Sequence, residues 1–239
     1  MSSYFQDFPQ ITYKFGNETD RSLFQNISSY VDLIDNVKDN QAFFQSYNIQ
    51  NERPDQVSYK FYGTTDYHWT LFLLNDNIRR SGWPLDDSHL LERAQIKYPN
   101  KTITTRSSLI TGFNPGDSIT GLSSGLTGTI LRKYSDLGQI VISVTSGTGI
   151  VGEEILSNSN TLIVNSYEDE YLSAAHYTDS DGNVVDFDPS VGPGALLTEV
   201  TYYDLMRQEN DNLKLIKVIK PNSILSIVSA FQESLTTDP

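Results

Sequence analysis

Tyr47-Asn-Ile-Gln-Asn-Glu-Arg53-Pro54-Asp55-Gln-Val-Ser-Tyr59-Lys-Phe-Tyr62-Gly63-Thr-Thr-Asp66-Tyr67-His68-Trp69 is the stretch on which the reading of the fold turns. Tyr47 to Gln50 alternates like a short strand. Arg53-Pro54-Asp55 is a turn and a helix start, because proline near the first helical position gives up an N–H that has no partner there. Val57, Tyr59, Phe61 and Tyr62 fall in one helix, and Gly63 suits the left-handed residue that ends it. Thr64-Thr65-Asp66 caps a second helix bearing Tyr67, Trp69, Thr70, Phe72, Leu73 and Leu74. Asn75-Asp76-Asn77 stops it. A strand followed by two aromatic-rich helices makes a compact unit.

Upstream, between Asp20 and Asn40, the apolar set Leu23, Phe24, Ile27, Val31 and Ile34 mixes helical and irregular spacing. Downstream, Asp86-Asp87 opens a helix, where acids suit the macrodipole. The character changes at Arg106. From there to Ser166 short β-branched runs alternate with glycine and Asn-Ser turns: Ser118–Thr120, Thr129–Leu131, Gln139–Val144, Glu154–Leu156 and Thr161–Val164. This predicts a small antiparallel barrel or sandwich. Pro115-Gly-Asp-Ser-Ile119 recurs as Val151-Gly-Glu-Glu-Ile155, and each copy reads as one turn feeding a strand. The glycines do not form a phosphate loop, since no Gly-Lys-Ser/Thr occurs and no helix follows. Asp179-Ser-Asp181-Gly182-Asn183 has the look of a calcium loop, but its glycine falls too early and Ser190 stands where a glutamate is needed. A polar hairpin turn is the better reading. Thr198 to Asp211 reads as a helix with Tyr202, Tyr203 and Met206 on one side. Leu213 to Ile219 alternates as a half-buried strand, and Pro221-Asn222-Ser223 caps a last amphipathic helix bearing Ile224, Ile227, Val228 and Phe231.

The chain has 239 residues, enough for one large domain or two modest ones. With 17 Lys plus Arg against 30 Asp plus Glu its net charge is −13, so a nucleic acid or an anionic membrane is a poor partner. Eleven acids and one base (Arg207) fall in residues 167–212, which carry most of the excess. Such a block is a solvated face or a docking surface for a basic partner. With no cysteine there is no disulfide, thiolate metal site or Cys nucleophile. His68, His89 and His176 are dispersed without metal-spaced neighbours, no serine sits in a nucleophile elbow, and no catalytic constellation is visible. A non-enzymatic protein without cofactor or metal is expected. The polar first twenty residues do not read as a signal segment, and no apolar run suits a bilayer, so a soluble protein of a cytoplasm-like compartment is expected.

The quoted stretch, continued through Leu71-Phe-Leu-Leu-Asn75-Asp-Asn-Ile78 to Gly82-Trp83-Pro84-Leu85, resembles the baseplate wedge protein 53 family of T-even-like contractile-tailed bacteriophages. Downstream, Ala175-His176-Tyr177 with Gly182, Glu199-Val-Thr-Tyr-Tyr203, Glu209-Asn210 and Lys214-Leu-Ile-Lys217-Val-Ile-Lys-Pro221 continue the resemblance in order. Residues 106–166 depart from it and look like an inserted small β-domain. The core at about 47–98 is also similar to a LysM module, which offers a rival reading as a peptidoglycan-binding module.

The resemblance implies an α+β protein in three regions. These are 1–105 with the LysM-like strand-helix-helix core, the inserted Gly-rich β-domain 106–166, and a C-terminal helix-strand-helix region 167–239. It implies a structural subunit of the virion tail baseplate, made in the host cytoplasm, that joins adjacent wedges in the inner ring. Six copies per baseplate would contact other wedge proteins, including the lysozyme-like wedge component near tube and sheath. Aromatic anchors dominate such interfaces. The interaction candidates are Tyr67, Trp69, Trp83, Pro84, His176, Tyr177 and Tyr203, with core packing a competing role for Trp69.

Overall fold

The computed structural model describes residues 10–13, 22–25, 41–109 and 112–237. It holds both helices and antiparallel sheets, the expected α+β class. Strands β1 (Gln10–Tyr13) and β2 (Ser22–Gln25) form a hairpin. Of the upstream apolar set, Leu23 and Phe24 fall in β2, while Ile27, Val31 and Ile34 lie outside the described residues. Strand β3 (Phe44–Asn48) begins three residues before the alternation seen at Tyr47.

Helix α1 (Pro54–Tyr62) starts on its proline, with the Arg53 N–H donating 2.8 Å to Gln56 Oε1. It ends at Gly63, whose φ of 71° lets its N–H reach Tyr59 O at 2.8 Å. After a turn at Thr64–His68 comes α2 (Trp69–Leu74), and then at once α3 (Asp76–Ser81). The expected stop falls at Asn75, which ends α2, but a new helix takes up two of the three stop residues. Asn75 is extended at the junction and Asp76 sits in the first turn of a new helix, where its charge is favourable. Helix α4 (Asp87–Lys97) is capped by Asp86, which accepts from the His89 N–H at 3.0 Å.

The β-rich stretch follows: β4 (Lys101–Thr104), β5 (Ser118–Gly121), β6 (Thr127–Tyr134), β7 (Gln139–Ser146), β8 (Glu154–Ser157), β9 (Asn160–Ile163) and β10 (Ser166–Asp169). A 3₁₀ turn at Glu170–Leu172 leads to β11 (Ala174–Thr178) and β12 (Thr198–Thr201). The helix expected from Thr198 begins only at Tyr202, as α5 (Tyr202–Lys214). The four residues before it, three of them β-branched, pair with β11 instead. Strand β13 (Leu215–Ile219) and helix α6 (Ile224–Thr237) close the chain. No helix among the described residues is long and apolar enough to cross a membrane.

Two compact units result: Met1–Leu85 with Asn210–Pro239, and Asp86–Glu209. The second boundary falls within α5. In the first unit β3 pairs antiparallel with β13, from Phe44 opposite Ile219 to Asn48 opposite Leu215. Ile49, Val57, Leu71, Ile78, Ile216 and Val218 are buried together, which packs α1, α2 and α3 onto the two strands. A neighbouring cluster joins Leu73, Leu74 and Ile219 to Ile224, Val228 and Phe231 of α6. The alternation of β13 therefore serves two cores: Ile216 and Val218 face one, Ile219 the other.

In the second unit a seven-stranded sheet has the order β10-β4-β7-β6-β5-β8-β9. Its end strands are consecutive in sequence, and Ile163 and Ser166 are three Cα steps apart, at most about 11 Å. The sheet must therefore curl until its ends meet, as a small barrel does. Bulges in β6 at Thr127/Gly128 and Ile130/Arg132 supply bending. At the first of these a Cβ on Gly128 would lie 2.6 Å from Ser143 O, so the close approach requires glycine.

The repeated turn is structural. Gly116 N–H donates to Ile130 O and Ile130 N–H to Asp117 O; Gly152 N–H donates to Val164 O and Val164 N–H to Glu153 O. Each copy sends a buried isoleucine, Ile119 or Ile155, into one core.

Candidate interaction surface

Among the described residues no group of three or more His, Asp or Glu is placed to hold a metal. A connected polar cluster lies in the first unit around Glu52. Tyr47 O–H donates to Glu52 Oε2 at 2.5 Å, Lys60 Nζ donates to Glu52 Oε1 and to the Tyr47 hydroxyl, both at 2.7 Å, and Gln50 N–H donates at 3.0 Å. Burial alone would raise the Glu52 pKa, but the bonds from Lys60, Tyr47 and Gln50 outweigh it and hold the carboxyl below its ordinary value. The Tyr47 hydroxyl moves up, through burial and its bond to Glu52. The cluster ties β3, the following loop and α1 together.

Trp83 is built onto this cluster. Its Nε1–H donates 2.8 Å to Glu52 O, and its ring lies 5.7 Å from that of Phe72. Two residues on, Asn210 takes Leu85 from both sides: Oδ1 accepts from Leu85 N–H at 2.7 Å and Nδ2 donates to Leu85 O at 2.9 Å. The Trp83-Pro84-Leu85 loop is thus held rigid while Trp83 and Pro84 stay half-buried. A half-exposed, preorganised aromatic loses little freedom when a partner covers it.

The other expected anchors are more deeply committed to packing. Tyr67 meets Tyr62 edge-on at 5.8 Å, and Trp69 lies 5.1 Å from the Phe231 ring. Both pack against the core that includes α6. The buried Tyr62 hydroxyl, pushed up to about 12 by burial, donates to Ile219 O. In the second unit His176 and Tyr177 lie half-buried on β11, with Tyr177 edge-on to Phe187 at 4.9 Å, and Tyr203 meets Tyr171 edge-on at 6.4 Å. The seven candidates therefore fall in two groups: Tyr67, Trp69, Trp83 and Pro84 in the first unit, His176, Tyr177 and Tyr203 in the second.

More exposed aromatic and aliphatic side chains lie elsewhere. Tyr59 is 63% exposed on α1, and Leu225 is 66% exposed on α6. In the second unit Leu196 is 90% exposed. Helical period was the signal for Tyr59, since the inward set Val57, Ser58, Phe61 and Tyr62 has the spacing of one helix face and leaves Tyr59 on the other.

The acidic stretch 167–212 is less a face than a set of local structural roles. Glu170 is 1% exposed, takes Arg132 as an ion pair and accepts from Asn100 Nδ2 at 2.8 Å. Asp169 pairs with Lys101 at 2.6 Å and Asp211 with Lys214 at 2.7 Å. Asp179 Oδ1 accepts from the N–H groups of Asp181 and Asn183, both at 2.9 Å, which makes the polar hairpin turn. Asp188 and Asp204 likewise accept from Ser190 and Thr201. Glu168 and Glu199 are left with raised pKa values, first through burial and then through neighbouring carboxylates.

Residues 16–103 match the family model for base plate wedge protein 53. This is the family that the sequence resembled. The matched stretch covers a little over a third of the chain and includes β3, α1 to α4 and the Trp83 loop; the downstream part of the resemblance lies beyond it. The match supports a structural role in a phage base plate, in the virion tail and among other base plate proteins, and it suggests a non-enzymatic protein. No curated protein matches the chain.

Proposed function

We propose that this chain is a non-enzymatic structural subunit that joins adjacent wedges in the inner ring of a contractile-tail base plate. Six copies act in each base plate, and their neighbours are other wedge proteins, including the lysozyme-like component near tube and sheath. The chain is made in the host cytoplasm and is incorporated there. The observation that carries this reading is the wedge-family match over residues 16–103. The rigid Trp83-Pro84-Leu85 loop supports it, since it offers a fixed, half-exposed aromatic of the type that anchors interfaces. Tyr67, Trp69, His176, Tyr177 and Tyr203 stand as further contact candidates. Their packing leaves each with part of its surface uncovered.

Trp83 variants test the anchor. Trp83→Phe keeps an aromatic against Phe72 but loses the bond to Glu52 O; Trp83→Ala loses both. The expected outcome is that folded Trp83→Ala protein binds wedge subcomplexes at least about tenfold more weakly, with Trp83→Phe between. Wild-type binding by folded Trp83→Ala would remove Trp83 from the interface.

A further inference from the structure

The sheet of β3 and β13 has two strands and therefore two outer edges. Ile49 N–H donates to Lys214 O at 2.9 Å and Lys220 N–H to Phe43 O at 2.8 Å, which fixes the parity of the ladder. Bonded pairs alternate in an antiparallel ladder. The backbone groups of Leu215, Lys217 and Ile219 therefore point away from β3, and those of Phe44, Ser46 and Asn48 point away from β13.

The two edges are treated differently. On β13, Asn75 acts as a plug: Oδ1 accepts from Lys217 N–H at 2.7 Å and Nδ2 donates to Lys217 O at 2.8 Å. Tyr62 O–H closes Ile219 O at 3.0 Å. On β3, Ser46 and Asn48 are exposed, and a long contact of 3.4 Å from Gln50 Nε2 to Asn48 O is the one side-chain bond found on that edge among the described residues. Proteins usually guard an exposed edge with proline, a bulge or an inward charge. Phe44–Asn48 has no proline and pairs with β13 in unbroken register.

We propose that this open edge receives an extended acidic segment of another base plate protein, which adds as a third strand beside β3. The inference rests on the structural base plate reading. Main-chain bonds to Phe44, Ser46 and Asn48 supply the affinity. The charge of the incoming segment follows from what frames the edge. Lys220 Nζ donates to the neutral carbonyls of Gln41 and Ala42 at 3.2 and 3.0 Å, which leaves its positive charge at the start of β3. A carboxylate on the incoming strand complements it. A second copy of this chain pairing through its own β3 is a poor occupant, because Phe44–Asn48 carries no carboxylate to meet Lys220.

Ser46→Pro tests the edge selectively. It removes an outward N–H and leaves the inward bonds of Gln45 and Tyr47 to β13 in place. Circular dichroism establishes folding, and incorporation is then measured into wedges assembled from the other base plate proteins. Folded Ser46→Pro, and separately Lys220→Glu, should be incorporated at least about tenfold less well than wild type. Hydrogen exchange on the wild type needs no variant. The amides of Phe44, Ser46 and Asn48 should exchange fast in the isolated chain and be protected about a hundredfold in the assembled base plate. Equal exchange before and after assembly overturns the proposal, as does full incorporation of folded Ser46→Pro. Protection of the same amides in a dimer of the isolated chain also overturns it, by placing a second copy there. Wild type that is incorporated with unprotected amides refutes the edge alone; wild type that is never incorporated refutes the base plate reading itself.

Discussion

Asn75 is the residue on which the first unit depends most visibly. Its side chain, 6% exposed, joins Leu71 O at the end of α2 to both backbone groups of Lys217 on β13. Asn75→Ala should therefore cost about 2–3 kcal/mol, because a buried strand edge loses its partners, and urea unfolding measures it. The sequence marked Asn75 only as a helix stop, since its true partner lies far along the chain. At Asp86 and His89 the prediction concerns charge. The side-chain bond to Asp86 raises the His89 pKa above its ordinary value, and Asp86 itself is depressed by its bonds to the His89 N–H and the Ser88 hydroxyl. A histidine with a raised folded pKa adds stability below its unfolded pKa, and that stability is lost as pH rises through the folded value. An NMR titration should find the His89 midpoint above that of a free histidine, and Asp86→Asn should bring it down. An unchanged midpoint in the variant would break the link.

At the scale of elements, local chemistry was legible and distant pairing was not. Pro54 and Gly63 bracket α1 because each fits one backbone geometry, so both ends could be read from sequence. Gly63→Ala should cost about 1 kcal/mol, since alanine resists a positive φ, and thermal unfolding checks it. The repeated turns at Gly116 and Gly152 were visible for the same reason, and both have positive φ. By contrast, β3 began earlier than its alternation suggested, because Phe44 and Gln45 are recruited by Ile219 and Val218 on β13. Residues 198–201 have enough helical company to mislead, yet β11 captures them as a strand. Of the site, the Trp83-Pro84 loop was marked by the family resemblance, whereas the bonds from Glu52 and Asn210 that hold it depend on tertiary contact. The outer edge of β3 could not be read at all, because it is defined by what does not pair among the described residues.

For the molecule as a whole, the net charge of −13 changes meaning. Much of the acid in residues 167–212 caps turns or pairs with Lys101, Arg132 and Lys214, so it builds structure before it meets any partner. Glu170→Ala should destabilise by about 3 kcal/mol, because it leaves a buried network without its acceptor. Glu168 and Glu199 behave in the opposite way. Their raised pKa values mean that ionisation opposes folding, so their stabilising contribution is present in acid and is lost as pH rises through the folded values. Glu199→Gln should raise the melting temperature at neutral pH, and the gain should vanish below about pH 4, where carboxylates are protonated. The chain path carries a further expectation. Asn210 holds Leu85 by two hydrogen bonds, so residues 86–209 leave and return at neighbouring points of the first unit. Joining Leu85 to Asn210 through a short linker should leave a folded unit that retains the β3–β13 pair, observable by NMR.

The wedge-joining role is tested most directly by adding this purified chain to base plate wedges assembled without it and imaging the products by electron microscopy. Closed six-fold plates should form only after the addition, with the chain present once per wedge. Six-fold plates that close equally well without it would contradict the role.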